Sequence, residues 1–341
     1  MAIAWKPPHA ALGVTLIEIM VALAIASVLL AAAGTILVNS RKNLDSQLHQ
    51  QHIQESARHA LELIGHDLRR AGYYGGVAGS GAIAGTSPPL EPDGTCPVST
   101  AWGRMLARPL FGLNDTNSGY ACIADDDYLR GDIVVTRYAR PVAEGAALSD
   151  QRLYLRSNPS AGALFIGADS GSNLLGAPAE VRRIVSRAYH VGPSALRCAD
   201  GSRPPALWRE RLASNGRPAG EELITGIEQL QIQYGLADFD ADGDADSDDT
   251  AISYVDADML SAAQWNAPFS TTAQWRDWRG LASAGAASSA VVLVRIWLLV
   301  RSPCAEAAVS NNHTYVMGSI SYTVDDHYQR QLYTTTVHLR N

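Results

Sequence analysis

The sequence predicts an α+β protein in which one long amino-terminal helix packs on an antiparallel β-sheet with irregular insertions. Two observations lead to this fold class. An apolar stretch near the start of the chain runs on into a segment with helical periodicity, and later segments alternate apolar and polar residues. No strong helical pattern separates the last of these alternating segments, which favours antiparallel pairing between neighbours.

The composition is that of a folded, acidic protein. The chain has 341 residues, of which 47% are hydrophobic and 18% are charged, and its formal net charge is −7. These values exclude wholesale disorder. Because a protein that binds phosphate backbones needs a basic surface, the acidic balance argues against a nucleic-acid partner.

The predicted helix begins in the apolar run from Val14 to Val38, whose single charged residue is Glu18. At about 1.5 Å per residue this run reaches about 37 Å, enough to cross the hydrocarbon core of a membrane. A secretory signal peptide has a shorter apolar region, and no A-x-A cleavage site follows this one. A plain signal anchor explains the length of the run but not Glu18, since a charge in a membrane needs a partner.

The segment ahead of the run, residues 1–13, reads MAIAWKPPHAALG and is interpreted as a leader that ends at Gly13. If the chain is cut there, Glu18 becomes the fifth residue and lies one helical turn from the new α-amino group of Val14. Between subunits staggered along a filament, the amine of one would neutralise the acid of the next. Such a pair would set the axial register, as single buried polar groups do in coiled coils.

The second half of the helix, residues 39–72, is predicted to be amphipathic and to run to about Ala71 with Gly72 as its cap. Gly34 and Gly65 have two interpretations, as points of bending or as places of close packing. The apolar residues predicted to share one face are Leu44, Leu48, Ile53, Ala57, Leu61, Ile64 and Leu68.

Residues 73–341 are predicted to form a globular, β-rich domain. Its clearest strand is Gln229–Tyr234, which alternates glutamines with apolar residues. In Ala290–Val300, alternate apolar residues starting at Val292 are predicted to face the core, with Arg295 and Trp297 on the other side. Further strands are predicted at Asp132–Tyr138, Leu153–Arg156, Leu164–Ile166, Val181–Val191, Tyr315–Val324 and Gln331–Leu339. Residues 76–126, rich in turn-forming residues, are predicted to be irregular.

The four cysteines predict two disulfides in an oxidising compartment, since none has the spacing of a metal site. Four cysteines allow three pairings. We favour Cys96–Cys122, which closes a short loop rich in turn residues, and Cys198–Cys304 by elimination. The alternative is a set of buried free thiols.

Residues 238–249 read DFDADGDADSDD, with seven aspartates in twelve positions. In a twelve-residue calcium loop, oxygen ligands recur at alternate positions and at the last one, and a glycine at the sixth allows the sharp turn. Gly243 has that place, but the last residue is Asp rather than Glu and a strand precedes the loop. We therefore predict an isolated Ca²⁺ loop, and the alternative is a solvated acidic loop without an ion. The candidate ligands are Asp238, Asp240, Asp242, Asp244, Asp246 and Asp249.

No catalytic motif with useful spacing is found, and we predict a protein that is not an enzyme. His49 and His52 have a spacing that can chelate a metal, but a solvated helix face is the better interpretation. The tryptophans Trp265, Trp275 and Trp278 are interpreted as core residues rather than as a sugar-binding or partner-binding surface.

Several segments resemble one family of proteins. G-V-T-L-I-E (Gly13–Glu18), followed by an apolar helix, resembles the class III leader and amino terminus of type IV pilins and pseudopilins. D-L-R-R-A-G-Y-Y-G-G (Asp67–Gly76), at the end of the helix, resembles PilW-type minor pilins. So do L-I-T-G-I-E-Q-L-Q-I-Q-Y-G (Leu223–Gly235), V-L-V-R-I-W-L-L-V-R-S (Val292–Ser302) and the terminal T-T-T-V-H-L-R-N (Thr334–Asn341).

The resemblance implies cleavage after Gly13 by a prepilin peptidase, which also N-methylates the new terminus. The usual residue there is Phe, and this chain has Val14 in that position. It implies a precursor in the inner membrane with a periplasmic globular domain, later placed in a pilus on the cell surface, and other minor and major pilins as partners.

Three functions remain open. The first is a minor pilin that initiates or caps a filament. The second is a tip adhesin that uses the calcium loop and the Trp-rich insertion to bind a surface ligand of unknown identity. The third is a pseudopilin of a type II secretion system.

Overall fold

The computed structural model divides the chain into two compact units, Met1–Gln51 and His52–Asn341. The residues that it describes are 15–77, 79–88, 101–143, 145–171, 175–176, 178–238, 253–260, 265, 289–307 and 309–339.

The long helix α1 (Leu16–Leu68) contains residues of both units and is continuous through Gly34 and Gly65. It ends three residues earlier than predicted, because the residues that follow form tighter turns. Gly72 has a φ of 84°, as a helix-ending glycine often does, but it donates its N–H to the carbonyl of Arg137 in the sheet at 2.9 Å. The end of the helix is therefore tied to the sheet at once.

In the second unit, one face of α1 is buried in the main core from Ile53 onward. The prediction is confirmed for this part of the helix. Leu44 and Leu48, which were predicted to share this face, are exposed. The buried helix residues are Ile53, Ala57, Ala60, Ile64 and Leu68.

The largest sheet has eight strands, in the order β1-β5-β4-β6-β3-β2, with β7 on β6 and β8 on β7. All pairs are antiparallel except β1 with β5. The strand β6 is long enough to pair along one edge with both β4 and β7. The strands are β1 (Ile83–Ala84), β2 (Leu110–Leu113), β3 (Arg130–Pro141), β4 (Leu153–Ser157), β5 (Gly162–Ile166), β6 (Glu180–Pro193), β7 (Pro205–Leu212) and β8 (Pro218–Thr225). A short helix, α2 (Ala101–Arg104), lies in the segment predicted to be irregular.

A second sheet has four antiparallel strands in the order β10-β9-β11-β14, and a separate hairpin pairs β12 with β13. These strands are β9 (Ile227–Asp238), β10 (Ser253–Val255), β11 (Ser289–Arg301), β12 (Asn311–Met317), β13 (Ile320–Asp326) and β14 (Arg330–His338). The α+β class is confirmed, with more than one sheet in place of the single sheet expected.

Two details of the predicted strands are wrong. Tyr315–Val324 is not one strand, because the chain turns back at Gly318, where φ is 61°. In β11, a register shift between Val291 and Leu293 places Val291 in the core, where Val292 was expected. Such a bulge inserts one extra residue and exchanges the two faces of the strand on one side of it.

The strands β7 and β8 were not predicted. Each begins with a proline, and charged residues interrupt the apolar alternation, as in the run Trp208–Arg211. A proline is tolerated as the first residue of a strand, because its missing N–H is not needed there. Hydrogen bonding to β6 makes β7 a strand, although the residue pattern of β7 does not predict one.

Candidate functional site: the amino-terminal helix and its anchorage

The first part of α1 presents apolar side chains to solvent. Leu16 is 78% exposed and Leu30 is 73% exposed, and the same holds along the helix to Val38. Within the described residues, α1 is the one helix that is long and apolar enough to cross a membrane. Apolar area of this extent needs a lipid or protein environment, since its exposure to water is unfavourable.

Glu18 caps the start of this helix. Its Oε2 accepts hydrogen bonds from the backbone N–H and from the hydroxyl of Thr15, both at 3.1 Å. In return, the N–H of Glu18 points to Thr15 Oγ1 at 3.4 Å. This is a capping box, which satisfies N–H groups that have no partner inside the helix. The signal T-x-x-E was present in the sequence and was missed there.

The partner predicted for Glu18, an α-amino group on another subunit, stays a prediction. Gly13 and Val14, the predicted processing residues, lie outside the described residues. The capping box holds the carboxylate of Glu18 towards the start of α1. This is the end of the helix from which the predicted leader would be removed.

At the other end of α1, the carboxylate of Asp67 is fully buried and holds the helix to the large sheet. Arg187 of β6 donates from Nη1 to both carboxylate oxygens, at 2.7 and 2.8 Å. The hydroxyls of Tyr138 on β3 and Tyr189 on β6 donate to it at 3.0 and 2.6 Å. The negative end of a helix disfavours an acid, and the guanidinium of Arg187 compensates for this.

The electrostatics around Asp67 keep Arg187, Tyr138 and Tyr189 protonated. Burial alone would lower the pKa of Arg187, but the charge of Asp67 outweighs it and the pKa is raised. Burial, with the charge of Asp67 as a second cause, raises the pKa of Tyr138 to about 12 and also raises the pKa of Tyr189. These three side chains therefore stay donors at any physiological pH.

A second buried carboxylate, Glu228 of β9, holds the carboxyl-terminal strands together. Arg330 of β14 donates to it from Nε at 2.5 Å and from Nη2 at 3.0 Å, and also bonds Asp326 of β13. The hydroxyl of Tyr322 on β13 donates to Glu228 at 3.3 Å. The hairpin β12–β13 is thereby fixed to the four-stranded sheet by charge-assisted bonds.

A third buried carboxylate, Asp132 of β3, joins the two large sheets. It accepts the N–H of Asp115 at 2.9 Å and the N–H of Ile232 in β9 at 2.6 Å. Burial, aided by the negative charges of Asp115 and Asp256, raises its pKa to about 8, although the two N–H donors act in the opposite direction. Sequence reasoning singled out none of these roles, because the partners lie far apart in the chain.

Cys198 and Cys304 form a disulfide with a Cα–Cα distance of 5.7 Å, which is the pair favoured by elimination. Cys198 follows β6 and Cys304 follows β11, so the bond links segments next to both large sheets. Cys122 is also disulfide-bonded. Its predicted partner, Cys96, lies outside the described residues, and that pairing stays a prediction.

The predicted calcium loop also lies outside the described residues from residue 239 to residue 250, and Asp238 is placed only as the last residue of β9. Within the part of the chain that the structure describes, no cluster of His, Cys, Asp and Glu could hold a metal ion. Asp238, Asp240, Asp242, Asp244, Asp246 and Asp249 therefore remain predicted ligands.

Two further predictions concern aromatic and histidine side chains. Trp265 is a core residue as predicted, with its ring 4.9 Å from that of Tyr234 and 5.3 Å from that of Phe111. Trp275 and Trp278 lie outside the described residues. His52 bonds the hydroxyl of Ser56 at 2.9 Å on an otherwise exposed position of α1.

Comparison with known proteins agrees with this arrangement. Residues 9–34 match the model of the prokaryotic N-terminal methylation motif. Residues 189–341 match the model of the family PilW, described as Type IV Pilus-assembly protein W. No curated protein and no solved structure gives a significant match.

The exposed apolar helix behind a prepilin-like start defines the class: this chain is a pilin-like protein associated with type IV pili. The PilW match covers β7 to β14, and the methylation motif covers the start of the chain. Over residues 189–341 the chain is similar to the PilW family, so it resembles PilW-type minor pilins.

Proposed function

We propose that this chain is a structural, non-catalytic subunit that takes part in type IV pilus assembly, in the initiation or tip complex. The observation that supports this most is the exposed apolar start of α1 with Glu18 as its single carboxylate. In this proposal, prepilin peptidase cuts after Gly13 and methylates Val14. The subunit waits in the inner membrane with its globular domain in the periplasm and then joins other minor and major pilins on the cell surface.

The role of Glu18 in the proposal is to pair with the α-amino group of a neighbouring subunit. The capping box supports it, because it orients the carboxylate at the helix start without giving it a full counter-charge. A carboxylate inside a membrane is costly without such a partner, which makes the interaction selective for a correctly staggered neighbour.

Glu18→Gln should leave cleavage after Gly13 intact and should reduce incorporation into sheared pili at least about tenfold, since a buried charge pair is lost. The strain would carry the full-length gene in place of the native copy. Amino-terminal sequencing reports cleavage, and immunoblotting of the pilus fraction reports incorporation.

Thr15→Ala is the matched control, because it removes the capping hydroxyl but keeps the charge of Glu18. Incorporation near the wild-type level is expected for it. Equal losses in both variants would mean that capping of the helix, not charge pairing, is what Glu18 supplies. Normal incorporation of Glu18→Gln would contradict the assembly role.

A tip adhesin with a Ca²⁺ loop at residues 238–249 is the second candidate function, and its support is the D-x-D-x-D-G spacing. A type II secretion pseudopilin is less well supported, because the match over residues 189–341 is to a pilus-assembly family. Deletion separates the first two functions: loss of filaments supports assembly, whereas normal filaments that fail to attach support adhesion.

A further inference from the structure

Three arginines crowd one face of the eight-stranded sheet. Arg140 of β3 lies directly opposite Arg183 of β6, and Arg183 lies directly opposite Tyr154 of β4. Directly opposed residues of antiparallel strands project from the same face. The third arginine, Arg152, immediately precedes β4 and is close enough to act on the charge of Arg183.

The charged groups close enough to act on Arg183 are other arginines. Burial lowers the pKa of Arg183, and the positive charges of Arg152, Arg140 and Arg187 lower it further. Arg187 has its counter-charge in Asp67. Within the described part of the chain, by contrast, Arg140, Arg152 and Arg183 form no ion pair with a carboxylate.

Like charges placed directly opposite each other destabilise a sheet. The arrangement therefore has a cost in the isolated chain, which a bound anion would relieve. Guanidinium groups suit this role because their planar forks bind carboxylates in a bidentate manner. Arg140 is exposed, Arg152 and Arg183 are partly exposed, and the buried ring of Tyr154 lies beside them, so an anion can reach the group.

We propose that Arg140, Arg152 and Arg183 form a docking face for clustered carboxylates on a neighbouring pilin-like subunit. This inference rests on the proposed assembly function. The face adjoins the anchorage of α1, because Arg183 and Arg187 lie four residues apart on the same side of β6. Nucleic acid fits less well, since the cluster is compact and the chain as a whole carries a net charge of −7.

The direct test uses the full-length protein in detergent micelles with a fluorescent octa-aspartate peptide as the probe. Binding measured by anisotropy should weaken as salt rises. Arg140→Glu should weaken it at least about tenfold, because a charge-assisted contact becomes a repulsion. Arg217→Glu is the control of equal charge change: Arg217 is exposed in the turn between β7 and β8, outside the cluster.

The folded state provides an internal check. Arg140→Glu converts the opposed pair with Arg183 into one of opposite charge, so its melting temperature should equal or exceed that of the wild type. Equal weakening by Arg217→Glu would reduce the effect to net charge and overturn the docking face. Tighter binding of a DNA duplex of equal charge than of octa-aspartate would also overturn it, in favour of a nucleic-acid surface.

Incorporation into pili separates this inference from the proposed function. Arg140→Glu should be cleaved after Gly13 but be depleted from the pilus fraction. If Glu18→Gln is depleted and Arg140→Glu is not, the docking face alone fails. If Glu18→Gln is incorporated normally, the assembly function fails whatever the peptide binds.

Discussion

At the scale of single residues, buried ionisable groups distinguish this protein. Asp132 has a pKa raised to about 8 and Glu210 has one raised to about 7, in both cases chiefly by burial. Burial has the opposite effect on His190, whose pKa it lowers to about 4. A shifted pKa is also a statement about stability, because the folded and unfolded states then bind different numbers of protons.

The sign for Asp132 gives a pH prediction. Its folded pKa lies above its ordinary value of 3.8, so the folded state binds the extra proton. The resulting stability is present below about pH 4 and is lost as pH rises to about 8. Asp132→Asn should therefore show a weaker loss of stability than the wild type between pH 5 and pH 8.5, measured by urea unfolding.

Asp325→Asn, an exposed aspartate on β13, serves as the control and should follow the wild type across the same range. The stability that His190 contributes has the opposite pH dependence. It is present above about pH 6.5 and is lost as pH falls through about 4. The pH 5 to 8.5 comparison is made between variants that share His190 and Glu210, so these groups cancel. Identical slopes for wild type and Asp132→Asn would contradict the buried, protonated carboxyl.

At the scale of elements, the decisive junction is that between α1 and the eight-stranded sheet. The apolar face from Ile53 onward supplies burial, but apolar contact alone does not define the rotation or the end of the helix. Asp67 fixes the rotation and the end of α1 through the hydrogen bonds that it accepts from Arg187, Tyr138 and Tyr189. Beyond the helix, the N–H of Gly72 donates to the carbonyl of Arg137 and so fixes the chain to the backbone of β3.

Asp67→Asn should lower the free energy of unfolding by about 3 kcal/mol, because it leaves the guanidinium of Arg187 largely buried without its counter-charge. Chemical denaturation followed by circular dichroism measures this. Glu55→Gln changes an exposed carboxylate on the same helix, and its effect should stay within about 0.5 kcal/mol.

A double substitution sharpens the test of this junction. Asp67→Leu with Arg187→Met removes both charges, and it should cost less than the sum of the two single changes. Additive effects would show that the two side chains do not act as a pair. A loss for Asp67→Asn no larger than that for Glu55→Gln would remove the anchoring role of Asp67.

At the scale of the whole molecule, long-range bonds join the separate sheets. Asp132 connects β3 to β9, and the disulfide Cys198–Cys304 connects segments that follow β6 and β11. Closing a long loop by a disulfide restricts the unfolded chain and so stabilises the folded one. The globular unit is thus held by a few specific links in addition to its apolar core.

Binding of Ca²⁺ by residues 238–249 should stabilise the whole globular unit. An ion that binds only the folded chain raises its melting temperature. At a free concentration about a hundred times the Kd, the gain is about 2.7 kcal/mol. Scanning calorimetry of the full-length protein with Ca²⁺, with Mg²⁺ and after chelation should show a shift for Ca²⁺ that Asp240→Asn reduces. The same melting temperature in all three conditions would remove the ion from residues 238–249.

The sequence by itself determined the amino-terminal apolar helix, its single carboxylate Glu18, the α+β class and most of the strands. These are local properties: they depend on the period at which apolar residues recur, and that period is read over a few neighbouring residues. The motif at the start of the chain is of the same kind, since residues 13–18 are contiguous.

Only the tertiary structure decided the roles of Asp67, Asp132 and the arginine face, and the side of β11 that is buried before its bulge. Asp67 and Tyr138 are 71 residues apart, Asp132 and Ile232 are 100 apart, and the two joined cysteines are 106 apart. No local pattern encodes which distant donor meets a buried acid. That choice follows from strand order and register, which are set when the sheets pack.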